Sequence, residues 1–313
     1  MTNQSKGIMF AAITAFFWGF LAIALKVAVR EVEPQTIVWF RFFVAFTSLF
    51  VWQIYQKPSA LKMLRKPPLL LVIAAIGLSW NYLGFMLGIH YTTPSNAQLF
   101  IQFGPMILAL SGVLIFKEKI NRMQIAGFAI ALVGFAFFYN DQLRAFFEGK
   151  ETYNIGVLLT ISGAIAWALY AIMQKKLVTR YPAILLNIFL FGFPTLIYLP
   201  FINLTPVFQL HWTWLLLLIF LGVNTLIAYS SLAQALRYLE ASKVSVILFL
   251  NPIITFVTMG ILTYLQVEWI DHERFSPVTL LGAMLVISGA YLVVRRKKKI
   301  RIPEASQELQ STQ

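Results

Sequence analysis

The sequence predicts an all-α integral membrane protein that crosses a bilayer ten times, and three observations carry that fold class. Of its 313 residues, 59% are hydrophobic and only 12% are charged, against roughly 25% charged residues in ordinary soluble domains. Apolar stretches of about 20 residues, the length that spans a hydrocarbon core, recur along the chain. Basic residues gather on every second connection between those stretches. A soluble fold of this composition has too little polar surface to cover itself, and lipid as solvent removes that requirement.

The predicted spans are 7–29, 35–56, 69–90, 92–116, 123–140, 154–174, 184–204, 212–236, 244–266 and 276–294. The first is too long for a signal-peptide core and has no small-residue cleavage pattern, so it is expected to stay in the mature chain. Arg41 interrupts the second span. Pro194, Pro200 and Pro206 blur the end of the seventh.

An inside N-terminus puts Lys6, Lys57, Lys62, Arg65, Lys66, Lys117, Lys119, Arg122, Lys175, Lys176, Arg180, Arg237 and Lys243 on the inner side, with the basic tail beginning at Arg295. Only Arg30, Arg144, Lys150 and Arg274 fall outside, while Lys26 and Arg41 lie within spans. Both termini are then cytoplasmic, and a multi-pass protein of the plasma membrane, the inner membrane of a bacterium, is expected. The run RRKKK at 295–299 reads as a stop-transfer segment against anionic head groups. The net charge of +13 is therefore assigned to membrane lipids, with no nucleic-acid partner.

The chain also repeats itself. GIMFAAITAFFWGFLAIALK from Gly7 matches GVLLTISGAIAWALYAIMQK from Gly156, pairing Trp18 with Trp167 and Lys26 with Lys175. YTTPSNAQLFIQFGPMI matches YLEASKVSVILFLNPII, pairing Tyr91 with Tyr238, Ser95 with Ser242 and Pro105 with Pro252. Gly127 and Gly134 match Gly282 and Gly289. The predicted units are a first five-helix repeat at 7–140, an outer linker at 141–153, a second repeat at 154–297 and a cytoplasmic tail at 298–313. An odd number of spans per unit inverts the second relative to the first, the design of alternating-access carriers.

These segments resemble the drug/metabolite transporter superfamily, specifically a pair of EamA-type domains over about 7–297. AFFWGFLAIALK, IVWFRF, YTTPSNAQLFIQFGPMI, KEKINRMQIAGFAIALVG, FLNPIITF and LLGAMLVISGA carry the resemblance. It implies ten helices in two inverted repeats, a central substrate cavity, and transport of a small polar metabolite, foremost export of an amino acid or related compound. Nucleosides and toxic organic compounds are the alternative cargo, and a non-transporting receptor or scaffold is the alternative class. Arg41 matches a basic residue of the family's second helix, Pro105 and Pro252 match the prolines of each fourth helix, and Glu118 matches an acidic residue ending the first of these. The second half departs here: QVEWIDHERFSP replaces the compact turn, and Leu190 stands near the counterpart of Arg41.

Polar groups within spans are costly unless they face protein or water, so they mark a pathway. The substrate-pathway candidates are Trp18, Lys26, Arg41, Trp80, Asn81, Tyr82, Asn96, Gln98, Gln102, Trp167, Tyr170, Asn187, Asn224, Tyr229 and Asn251. Arg41 and Lys26 make the outer half of the cavity positive, suited to a carboxylate; the competing reading is an arginine that snorkels or holds carbonyls, and a boundary lysine. Gln98 and Gln102 share a helix face and offer amides to a zwitterion. Pro105 and Pro252 lack the amide hydrogen of the preceding turn and are expected bends. Gly84, Gly88, Gly127, Gly134, Gly282 and Gly289 are expected at close helix approaches.

Nothing in the chain reads as an enzyme. It has no Cys and three scattered His, which leaves no thiolate or metal cluster and no cofactor to expect. HExxH, GxSxG and paired intramembrane aspartates do not occur. No Asp or Glu lies deep within a span, which points to facilitated transport or diffuse coupling; proton or ion coupling is left open, as is homo-oligomerisation around a pathway within one chain. His90 sits at the outer mouth of the third span, with His211 and His272 outside.

Overall fold

The computed structural model describes residues 2–92, 94–140, 143–144, 147, 151–270 and 276–294. Lys150, His272, Arg274, the basic run 295–299 and the tail 298–313 lie outside the described residues, as does part of the 141–153 linker. The chain is an all-α, multi-spanning membrane protein, and the helices follow from local chemistry. Helix α1 (Asn3–Ala28) is capped by Thr2, whose hydroxyl accepts from the Ser5 N–H. Pro34 stands in the first turn of α2 (Pro34–Gln56), where a missing N–H costs nothing. A short basic 3-10 helix, Pro58–Arg65, leads to α3 (Leu69–Tyr91).

The fourth predicted span is two helices, α4 (Pro94–Ile101) and α5 (Phe103–Leu114). The ninth is also two, α11 (Ala241–Leu248) and α12 (Asn251–Tyr264). The breaks precede the prolines and have one cause. Pro105 lacks the N–H that would bond to Ile101, and Pro252 the one for Leu248; α4 and α11 end on those two residues. The remaining helices are α6 (Arg122–Phe138), α7 (Glu151–Leu177), α8 (Ala183–Tyr198), the short α9 (Thr205–Gln209), α10 (Trp212–Tyr238) and α13 (Pro277–Val294).

Among the described residues, nine helices or paired helices are long and apolar enough to span a membrane. Helix α6, with 17 residues, falls short of the usual 20. Its start is firm: Asn121 and Gln124 exchange hydrogen bonds at 3.0 Å in a capping box, and the Gln124 amide continues to the Val293 carbonyl on α13.

The main contacts join α3 with α7, α1 with α10, α2 with α8, and α6 with α13. Small residues set the closest of these. A Cβ on Gly84 would stand 2.7 Å from the Leu159 carbonyl oxygen, and Gly88 faces Thr160. On α6 and α13, a Cβ on Gly134 would stand 2.7 Å from the Val286 nitrogen, and one on Gly289 2.5 Å from the Gly127 oxygen.

Contacts at the helix ends recur in pairs. Lys26, ending α1, donates to the carbonyls of Ile89 (3.4 Å) and Thr92 (3.2 Å) at the end of α3. Lys175, near the end of α7, donates to Leu236 (2.7 Å) and Leu239 at the end of α10. Gly7, early in α1, meets Tyr238 and Leu239, whereas Gly156, early in α7, meets Tyr91 and Thr92. The start of α1 therefore shares a side with the end of α7, and its end shares a side with the start of α7. The two helices run antiparallel.

Candidate functional site

Where α1, α2, α3, α4, α5, α7, α10 and α12 meet, they line a narrow cavity of about 50 Å³, room for a few water molecules. Its wall is aromatic. Trp18 and Trp167 meet edge to face with ring centroids 5.8 Å apart. Tyr229 lies 5.3 Å from Trp18 and 5.5 Å from Tyr82. Leu21, Phe85 and Ile101 complete the apolar lining.

Arg41 enters this wall from α2. It is only 2% exposed, and its guanidinium carbon sits 4.3 Å from the centre of the Tyr82 ring, within cation–π range. Its Nε donates to Thr225 Oγ1 at 3.1 Å, and that hydroxyl donates to the Leu221 carbonyl at 3.0 Å. Among the described residues the one side-chain ion pair is Lys243 with Glu240, a surface contact on another part of the chain. The charge in the cavity thus faces a π surface and a hydroxyl, with no carboxylate against it.

Amides line the remaining wall. Asn81 donates to the Gly163 carbonyl at 3.0 Å and accepts from the Tyr229 hydroxyl at 3.5 Å. Gln98 reaches the Trp18 carbonyl at 3.4 Å. Gln102, at the break between α4 and α5, donates to Asn251 Oδ1 at 3.4 Å, and Asn251 follows the break between α11 and α12. Both interrupted spans therefore deliver an amide to the same place. The buried Gln102 Oε1 accepts no hydrogen bond. A guanidinium, an amide oxygen that accepts no hydrogen bond and aromatic rings thus face one space.

The structure gathers Trp18, Arg41, Asn81, Tyr82, Gln98, Gln102, Trp167, Tyr229 and Asn251 around this space, with Pro105 at its edge. Six other candidates stand elsewhere. Lys26 is bound at the end of α3. Trp80 is 42% exposed and bonds Ser162, because it points about 100° around α3 from Asn81. Asn96 is buried on α4 without reaching the cavity wall. Tyr170 packs behind Tyr229 at 5.7 Å. Asn187 joins Gln174 on α7 to Ser230 on α10, and Asn224 holds the Phe17 carbonyl at 2.7 Å. These last two fasten helices. Thr225 was not anticipated, although it lies one turn before Tyr229 on the same face of α10; the apolar Leu21, Phe85 and Ile101 carry no sequence signal.

The chain matches the EamA-like transporter family over residues 5–140 and 154–295. It is 35% identical over 288 residues to an uncharacterised transporter of Haemophilus influenzae, covering 91% of this chain and 94% of that protein. It is 32% identical over 288 residues to the uncharacterised inner membrane transporter YhbE of Escherichia coli, covering 91% and 89%. A probable amino-acid metabolite efflux pump of Escherichia coli is 24% identical over 326 residues, covering 96% of this chain and 99% of the pump. One crystal structure, 16% identical, has the same fold with a TM-score of 0.73 over 94% of this chain and all of its own.

Proposed function

The chain belongs to the EamA-like transporter family, and from that premise we propose that it carries a small carboxylate-bearing metabolite, an amino acid or a close relative, by alternating access. It acts as a transporter and not as an enzyme. The observation that carries the substrate reading is Arg41, a buried cation on the cavity wall without a carboxylate against it. Burying a lone charge is costly, and a substrate carboxylate supplies the missing partner with charge-assisted hydrogen bonds. Gln102 Oε1 then receives the ammonium of a zwitterion.

The proposed architecture is two inverted five-helix sets at 7–140 and 154–297, with α6 as a short tenth crossing. The antiparallel course of α1 and α7 and the paired lysine contacts support it. The distribution of basic residues supports cytoplasmic termini, with the Lys175 side inward. The inner-membrane relative supports a bacterial inner membrane, and the efflux relative supports export. One chain surrounds the cavity, so the pathway is assigned to the monomer.

Purified protein in liposomes, loaded with one solute and presented with labelled amino acids, organic acids or nucleosides, tests this. Saturable counterflow confined to carboxylate-bearing solutes, and lost on Arg41→Met, is expected. Equal counterflow of neutral nucleosides, unaffected by that substitution, would sink the substrate reading.

A further inference from the structure

Glu118 follows α5, just beyond Lys117, whose φ of 55° turns the backbone through the left-handed region. Its own N–H returns to the Gly112 carbonyl at 2.9 Å. The side chain then crosses to the second half. Oε1 accepts from the Ala241 N–H at 2.6 Å, while Oε2 accepts from the Ser242 N–H at 3.0 Å and the Ser242 hydroxyl at 2.7 Å. The first N–H groups of a helix have no partner within it, and its dipole favours a negative charge there. A carboxylate from one half therefore completes the first turn of α11 in the other. Gly112 makes room, since a Cβ there would stand 3.1 Å from the Ser242 nitrogen.

Among the described residues, the matching place on the opposite side is built differently. After α12 the left-handed residue is Gln266, with φ 50°, and the next is Val267, whose side chain has no acceptor; Glu268 beyond it is exposed. The segment that aligns with YLEASKVS puts Pro94 where Ala241 donates, and proline has no N–H. Helices α5 and α11 pack closely, whereas α12 and α4 touch only slightly.

We infer that the Glu118–Ser242 contact is a latch that closes the cavity on the Lys175 side, and that no equivalent latch stands at the opposite gate among the described residues. This rests on the carrier reading proposed above. The latch sets the resting state: the protein waits closed toward the side assigned to the cytoplasm, and releasing Glu118 from α11 is the step that opens it there. The interrupted spans make the motion local. Helix α11 is separated from α12 by the break before Asn251, so α11 can pivot at that break away from α5 while both helices keep to α1.

The chain contains no Cys, so a single Ser245→Cys, at a fully buried site one turn inside the latch, reports through a membrane-impermeant maleimide. The parent with this reporter is expected to label slowly from the Lys175 side. Glu118→Gln should speed that labelling about tenfold or more, the scale of losing hydrogen bonds to a charged group. Ser242→Ala, which removes one of the three bonds, should give a smaller rise and keeps the test decisive if Glu118→Gln does not assemble. One-sided labelling in the parent that neither variant changes overturns the latch and leaves the carrier reading intact. Comparable labelling of the parent from both sides also overturns the latch, whereas a parent that labels as expected but gives no counterflow of any solute removes the carrier reading.

Discussion

Trp18 and Trp167 meet edge to face at 5.8 Å, each the counterpart of the other in the two recurring segments. A residue touches its own counterpart only near the axis that relates two units. Tyr82 and Tyr229, nine residues before the matched Tyr91 and Tyr238, meet likewise at 5.5 Å. In the proposed inverted arrangement the cavity lies on that axis, where a change in the relative position of the halves alters every wall together. Trp18→Phe and Trp167→Phe keep most of the buried area but lose the indole edge, an interaction worth about 0.5–1.5 kcal/mol. Both are expected to raise the KM for counterflow by several-fold, on the order of 2- to 10-fold. Trp80→Phe, on the exposed face, should leave KM unchanged.

Arg41 separates binding from stability. Arg41→Met removes a buried charge and retains most of its volume, so the melting temperature in detergent should hold or rise. Binding of a carboxylate solute should weaken about 10- to 100-fold, matching the 1.5–3 kcal/mol of hydrogen bonds to a charged group. Arg41→Lys should recover little, because a point charge cannot both lie over Tyr82 and present a fork to a carboxylate. A fall in stability with KM unchanged would make Arg41 a fastening residue.

The sequence revealed the membrane helices readily because their signal is cumulative: twenty apolar positions outvote a few polar ones, as the second span shows with Arg41 inside it. The limits of the site were harder to read. Asn81 and Trp80 are adjacent and equally conspicuous, yet a rotation of about 100° sends one to the cavity and the other outward. Asn224 and Asn251 are the same residue type, but one holds the Phe17 carbonyl and the other meets Gln102. Which amide fastens and which stays available depends on the neighbouring helix, and α1, the partner of α10, lies some 200 residues away in the chain. Periodicity within one helix does not contain that information. The breaks were legible to within a turn, because proline acts on the residue four places earlier, not at its own position.

Lys26 and Lys175 perform the same task at opposite sides, each binding two carbonyls at the end of a third helix. Lys26→Met and Lys175→Met should each lower stability by about 1–3 kcal/mol, since buried acceptors lose a charged donor. Solute preference should be the same in both variants and in the parent. Thermal unfolding and counterflow competition read these separately; a switch in preference from carboxylate to neutral solutes in Lys26→Met would return that lysine to the substrate pathway.

The contact between α6 and α13 predicts a graded series of glycine substitutions. A Cβ on Gly282 would stand 2.5 Å from the Phe138 Cα, backbone that cannot rotate away. A Cβ on Gly134 would stand 2.8 Å from the Leu285 Cβ and 2.7 Å from the Val286 nitrogen. On α7, by contrast, a Cβ on Gly163 would have 3.3 Å to the Asn81 oxygen, a gap that a small shift relieves. Gly282→Ala should therefore destabilise most, by about 1–3 kcal/mol as in overpacked cores. Gly163→Ala should cost less, though it lies beside the cavity residue Asn81 and should disturb KM more. Gly282→Ala is far from Arg41 in the contact pattern, so turnover per folded molecule should hold while the folded yield falls. Melting temperatures in the order Gly163→Ala above Gly282→Ala, with the KM effects reversed, are the expected result; the opposite order would mean that α6 and α13 are not held together by this glycine contact.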